Sequence, residues 1–260
     1  MRPDPARRQQ RGVALITAML VVTLATTIAV SMSFQHHILV RRGANLMDAD
    51  QALMYVLGAE DYARALLTRD AAEGEADHLG ETWAQVLPPL PIPGGEVRGR
   101  IRDLDGRFNI NNLALAREAE SNEEQAEDEA PSGRELWVER FTRLLENLEI
   151  DPVLVQPVID WIDPDLAPQL PAGAEDDYYS RLDPPYRAAN RPMAHISELR
   201  LVKGVTPEIY RRLRPFLVAL PPGEDGTEIN VNTALPEVLR SLSLEISESA
   251  ALDVVAERQQ

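Results

Sequence analysis

Six carboxylates fall between positions 160 and 177: Asp160, Asp163, Asp165, Glu175, Asp176 and Asp177. Oxygen donors at short spacing, without cysteine or paired histidine, form the donor set of a hard cation such as Ca²⁺. The same residues also read as a solvated acidic loop, and their spacing alone leaves both readings open. Pro164 holds Asp163 extended or turned, and Gly173 loosens the return of the chain. The segment is not an EF-hand, because Ala167 and Pro168 stand where that loop continues its ligand-and-glycine pattern. Paired carboxylates also serve glycoside or peptide hydrolysis, but the excess of flanking Asp and Pro suits coordination better. His36, His37, His78 and His195 are scattered, and the chain has no cysteine. No G-x-S-x-G, H-E-x-x-H, P-loop or dinucleotide fingerprint occurs. The reading is therefore a non-catalytic protein, with a membrane-tethered hydrolase as a weak alternative.

The elements that carry these residues begin with a basic leader. Residues 1–42 hold six Arg and one Asp, a net charge of +5; the other 218 residues hold 20 basic and 41 acidic groups, a net charge of −21. Such a body repels nucleic acid and anionic lipid. After Gly12, 22 residues from Val13 to Phe34 carry no charge. As a helix this run is about 33 Å long, enough to cross a hydrocarbon core of about 30 Å. Thr17, Thr23, Thr26, Thr27, Ser31 and Ser33 interrupt it, which is tolerable because hydroxyls bond back to the preceding turn. An amphipathic pattern follows without a break. Leu46, Ala49, Leu53, Val56, Ala63 and Leu67 share one helical face. One helix is predicted from 13 to 70, lipid-facing at first and then packed on a domain.

Beyond it, Val97, Gly99 and Ile101 alternate with Arg98, Arg100 and Arg102, Asp105-Gly106 offers a turn, and Phe108 and Ile110 resume the alternation. This predicts a hairpin over 96–111 with a solubilising arginine face. Residues 117–134 crowd seven acidic side chains and read as a mobile loop. Short helices are predicted from Leu136 to Leu148, Val153 to Ile162, Ile196 to Leu201, Pro207 to Leu217, Pro236 to Leu242 and Ser247 to Arg258. The segment 196–210 has a helix-hairpin-helix pattern turning at Gly204, and Asn230 to Ala234 opens a weaker second copy. Lys203, the only lysine, lies there with Arg200, Arg211, Arg212 and Arg214. In DNA-binding versions the hairpin amides meet a phosphate. The acidic body opposes that use, so the unit reads as packing or protein docking. A membrane-anchored DNA-binding protein of the competence-receptor type is the alternative.

A basic leader ending in Gly, an uncharged run and one continuous helix resemble the type IV pilin-like family. RGVALITAMLVV, QALMYVLGAEDYAR, DGRFNINNL, VIDWIDPD, AEDDYY, YRAANRPMAHISELRLVKG and INVNTA, in this order, resemble its protein K group, the large minor pseudopilins of type II secretion. The resemblance implies an α+β fold: a long N-terminal helix, a pilin-like hairpin or sheet, and an inserted, mainly α-helical domain. The expected divisions are a cleaved leader at 1–12, the helix at 13–70 with its transmembrane part at 13–34, a β portion at 71–116, the acidic loop at 117–134 and the α-domain at 135–260. With no alternating apolar run after the last helix, the chain reads as truncated before the family's returning strands.

The resemblance further implies prepilin-peptidase cleavage between Gly12 and Val13, with methylation. It implies a single inner-membrane span with the body in the periplasm, and no nucleic acid partner. It implies structural Ca²⁺ in the α-domain, with Asp163, Asp165, Glu175, Asp176 and Asp177 as ligand candidates. Most members carry Glu fifth in the mature chain, thought to pair with a neighbouring subunit's terminal amine; here that residue is Thr17. A subunit without this pairing fits the pseudopilus tip, in complex with the minor pseudopilins I and J. The function implied is nucleation of the pseudopilus for export of folded proteins across the outer membrane.

Overall fold

The computed structural model describes residues 6–74, 76–115 and 133–258. The first five residues of the leader and the acidic run up to 132 lie outside the described residues. The chain forms two compact units, one of residues 1–65 with 89–99 and one of 66–88 with 100–260.

The first unit is dominated by α1 (Ala6–Glu73), about 100 Å long at the helical rise. It starts earlier than the sequence predicts, because nothing between Ala6 and Gly12 breaks a helix. Its threonines satisfy themselves. Thr23 Oγ1 donates to Met19 O at 2.6 Å, Thr26 Oγ1 to Val22 O at 2.9 Å, and Thr27 Oγ1 to Thr23 O. These threonine hydroxyls, bonded within the helix, offer lipid no unpaired donor. Leu46, Leu53 and Val56 are 66 %, 53 % and 60 % exposed.

The hairpin also lies elsewhere than predicted. β1 (Leu90–Ile92) pairs antiparallel with β2 (Gly95–Val97), Leu90 opposite Val97. Pro93-Gly94 makes the turn, with Gly94 at φ +89° in the left-handed region. Proline within a run argues against a central strand but is tolerated at an edge, so this stretch reads as loop from sequence. The Asp105-Gly106 turn serves a close approach instead. A side chain at Gly106 would place Cβ 2.5 Å from Thr233 Oγ1, and Asn230 N donates to Asp105 O at 2.9 Å. The following strand β3 (Phe108–Asn109) pairs in parallel with β4 (Leu217–Val218).

The second unit is mainly helical, as predicted: α2 (Gly133–Asn147), α3 (Val155–Ile162), α4 (Asp176–Tyr179), α5 (Pro207–Leu213), α6 (Pro236–Leu242) and α7 (Glu248–Glu257); the short α4 was not predicted, and α5 stops at Leu213, before Leu217 enters β4. Ile196–Leu201 forms a 3₁₀ segment rather than an α-helix. Trp137, Phe141, Leu144 and Leu145 share one face of α2 and are buried. The helix ends where Glu149 turns to φ +51° and Ile150 N donates back to Leu145 O at 2.9 Å. Phe108 stacks on Phe141 with ring centroids 5.3 Å apart and meets Trp137 edge-on at 5.8 Å. Leu113, Val158, Leu199, Leu213 and Leu217 complete this core.

With little sheet, the long connections need other backbone partners, and three buried asparagines supply them. Asn109 Oδ1 accepts from Leu220 N at 3.0 Å, and its Nδ2 donates to Thr227 Oγ1 at 2.8 Å. Asn111 Nδ2 donates to Met193 O at 2.9 Å and Leu220 O at 2.8 Å, while its Oδ1 accepts from Met193 N at 2.7 Å. Asn112 exchanges bonds with Thr227 N at 2.9 Å and Thr227 O at 3.0 Å. Asn111→Ala leaves Met193 N–H unpaired in a buried setting, which costs about 1–3 kcal/mol for that group alone. The expected outcome is a clear fall in thermal midpoint; Asn147→Ala, which loses one partly buried bond to Glu237 O, is expected to change it much less.

Candidate functional site

The acidic segment folds around a carboxylate that the metal reading left out. Asp160, on α3, is fully buried. Its Oδ1 accepts from Gln169 N at 3.0 Å and its Oδ2 from Ala174 N at 2.6 Å. Burial pushes its pKa up; these amides oppose the shift, and Asp163 and Asp165 add to it. The two amides close the loop from 163 to 175 on itself. The loop passes so near that a Cβ at Gly173 would overlap Asp160 Oδ2 and Gln169. Lys203 closes the same loop from outside, donating through Nζ to Ala172 O at 3.0 Å and Gly173 O at 3.1 Å.

This closure brings Asp163, Asp165 and Glu175 together, with one oxygen of each within 4.8 Å of the others. Asp163 and Glu175 are buried and Asp165 is exposed. Arg134 Nη2 meets Asp163 Oδ2 at 3.1 Å. Burial still holds the Asp163 carboxyl above its ordinary value, with Arg134 opposing. Asp163 Oδ1, both Glu175 oxygens and Asn190 Oδ1 are buried without a hydrogen-bond partner. Asn190 joins the cluster through Nδ2, which donates to Asp165 O at 2.9 Å. Hard, unsatisfied oxygens converging on one point fit a divalent cation such as Ca²⁺.

Asp176 and Asp177 are not in this cluster. Asp176 accepts from Ala188 N at 3.0 Å and faces Arg187 at 3.8 Å. Asp177 points to solvent on α4. A helix starting at Asp176 turns successive side chains about 100° apart, so three adjacent acids cannot share a focus. Two residues escaped the sequence reading. Arg134 was grouped with the acidic loop, and Asn190 had no acidic signal; its position before Arg191-Pro192 gave only a turn cue.

At the other end of the chain, Thr17 is exposed on α1, and its Oγ1 donates to Val13 O at 3.1 Å and Ala14 O at 3.0 Å. Its hydroxyl is bonded within its own helix. Gly12 and Val13 lie within the continuous helix. In the helix-hairpin-helix unit, Lys203 N donates to the Tyr179 hydroxyl at 3.2 Å. A hairpin amide and the chain's only lysine are thus both turned into the domain.

Comparison with known proteins agrees with this architecture. Residues 106–222 and 229–260 match the family described as type II secretion system protein K. The protein K of Pseudomonas aeruginosa is 39 % identical across 97 % of this chain and 73 % of its own length. That of Klebsiella pneumoniae is 35 % identical across 96 % of this chain and 74 % of its own. Among solved structures, the GspK-GspI-GspJ complex from enterotoxigenic Escherichia coli matches with a TM-score of 0.67 and 29 % identity, covering 77 % of this chain and 69 % of that one.

The cluster makes a signed prediction for the metal-free protein. Burial first, then Asp160, Asp163 and Asp165, push Glu175 up to about 7 from an ordinary 4.5. The folded state therefore binds this proton more tightly than the unfolded one. The contribution is full below about 4.5 and is lost as pH rises through about 7. In chelator, Glu175→Gln is expected to raise the thermal midpoint relative to wild type at pH 8 and to leave it nearly unchanged at pH 4. Melting curves at the two pH values check this, and a lower midpoint for the variant at pH 8 would contradict it.

Proposed function

The chain belongs to the type II secretion system protein K family, and from that premise we propose that it acts at the tip of the type II secretion pseudopilus. It is a minor pseudopilin. Residues 13–34 anchor it in the inner membrane with the body in the periplasm. There it nucleates the pseudopilus with the minor pseudopilins I and J, for export of folded proteins across the outer membrane. The observation that carries this reading is the bare apolar stripe of α1, in a chain whose relative is seen in complex with GspI and GspJ. Helices associate in lipid and in coiled bundles by such stripes. Thr17 supports the tip position: a hydroxyl bonded to its own helix avoids the cost of a carboxylate in lipid and offers no acid to a neighbour's terminal amine.

We propose that Asp163, Asp165 and Glu175 hold Ca²⁺, with the Asn190 carbonyl oxygen beside them. Bound Ca²⁺ supplies the positive charge that these buried carboxylates lack. Asp160 and Lys203 hold the loop that presents them, and Arg134 orients Asp163. The support is the set of unpaired oxygens on one cluster. The role is structural, stiffening a domain surface used for docking. The membrane-anchored DNA-binding alternative finds no support, since its lysine and hairpin amide are consumed by packing.

Co-expression with a prepilin peptidase is expected to yield a species beginning at Val13, read by mass spectrometry; an intact Met1 in its presence would overturn the pseudopilin processing. Thr17→Glu is expected to let the protein enter the shaft as well as the tip. Equal shaft incorporation of variant and wild type by crosslinking would remove the pairing argument. Calcium titration by calorimetry is expected to show binding that Asp163→Asn weakens at least about tenfold, while Asp177→Asn leaves it unchanged.

A further inference from the structure

Five arginines of this acidic chain line one cavity of about 660 Å³ in the second unit: Arg100, Arg102, Arg107, Arg211 and Arg214. Two come from the stretch read as a solubilising strand face, one follows the Asp105-Gly106 turn, and two lie at the end of α5. Among the described residues none of the five forms an ion pair, and Arg211 alone has a side-chain hydrogen bond, from Nε to Pro207 O at 3.3 Å. One carboxylate, Asp103, also lines the cavity and is held in place by neutral donors. It accepts from Asp105 N at 2.8 Å, Asn230 Nδ2 at 2.9 Å and Thr233 Oγ1 at 2.5 Å. The guanidinium groups repel one another. Arg107 is held below its ordinary basicity by burial first and then by Arg102 and Arg214. Trp83, Ile101 and Leu235 give the same cavity an apolar lining.

We propose that this cavity docks a short acidic segment of a partner protein, carboxylates on its arginines and an apolar side chain on Trp83 and Ile101. Guanidinium groups pair with carboxylates through two parallel hydrogen bonds, and unpaired, mutually repelling cations in one cleft await such a charge. The volume is in the range of small-molecule and side-chain pockets, enough for a few residues. A free phosphate would leave the apolar wall unused. A nucleic acid duplex would extend past the cleft over a body of charge −21. Charges beyond about 8–10 Å are screened, so the field in the cavity is set by residues close to it: five guanidinium groups in the lining against Asp103 there and Glu81 behind Trp83. The short peptide alone matches both the charge and the wall.

The test uses the full chain in detergent and a fluorescein-labelled eight-residue peptide of alternating glutamate and leucine, followed by anisotropy. The expected result is saturable binding that weakens as salt is raised and falls at least about tenfold in the Arg102→Gln/Arg214→Gln double variant. Arg181→Gln, outside the cavity, is expected to bind as wild type. Because the double variant removes unpaired like charges, its melting temperature without peptide is expected to equal or exceed that of wild type. A lower one would show that the arginines hold the fold and would overturn the proposal. Binding unchanged in the double variant would overturn it too. So would displacement of the peptide by inorganic phosphate or a DNA duplex at lower concentration than by unlabelled peptide.

Discussion

Backbone satisfaction without a sheet is the constraint on which the helical unit rests. Its strands are two residues long, yet the connections at Met193, Leu220 and Thr227 pass against the core with amides and carbonyls to pair. Asn109, Asn111 and Asn112 resolve this with primary amides that present donor and acceptor together, as a peptide group does. Each couples a segment more than 80 residues away in sequence. An aspartate there would carry no donor and bring a charge; a leucine would strand three backbone groups. The aromatic stack of Phe108 on Phe141 and the parallel β3–β4 pair lie directly beside this ladder, so the hydrophobic core and the polar network locate each other.

The acidic site repeats the logic with a charge. Asp160 is buried at a cost that two backbone amides offset, and the closed loop then holds Asp163, Asp165 and Glu175 together, with Asp163 Oδ1 and both Glu175 oxygens lacking a hydrogen-bond partner among the described residues. Protein stability is sacrificed there: three carboxylates face one another, and among the described residues Arg134 is the one cation paired with them. Such unsatisfied acids in an otherwise well-bonded domain are the observation on which the proposed cation site rests. The arginine cavity is its opposite in sign. There five guanidinium groups share the lining with one carboxylate, Asp103.

Much was legible in the residues. The uncharged run after Gly12 and the stripe at Leu46, Leu53 and Val56 identified a spanning helix that continues into an amphipathic one, because apolar periodicity is a local property. The spacing of Leu136, Phe141, Leu144, Leu145 and Leu148 placed α2 for the same reason. The cluster of Asp163, Asp165 and Glu175 was visible as composition. Less legible was the hairpin, since alternation at Val97, Gly99 and Ile101 pointed to a strand that pairing did not confirm. Strands need partners, and partner choice is not local.

By itself the sequence determined the apolar N-terminal helix, most of the helical pieces, the acidic composition of residues 160–177 and the family, all of which rest on short-range pattern and residue chemistry. Only the tertiary structure decided which acids converge. Asp176 and Asp177 adjoin Glu175 in the chain but leave the cluster because a helix begins between them, while Asn190 and Arg134 join it from afar. Only the fold, too, turned Lys203 inward onto Ala172 and Gly173 and gathered Arg100, Arg102, Arg107, Arg211 and Arg214 from two distant segments into one cleft. Charge is written residue by residue, but a site is a distance, and distances between remote residues are set by packing.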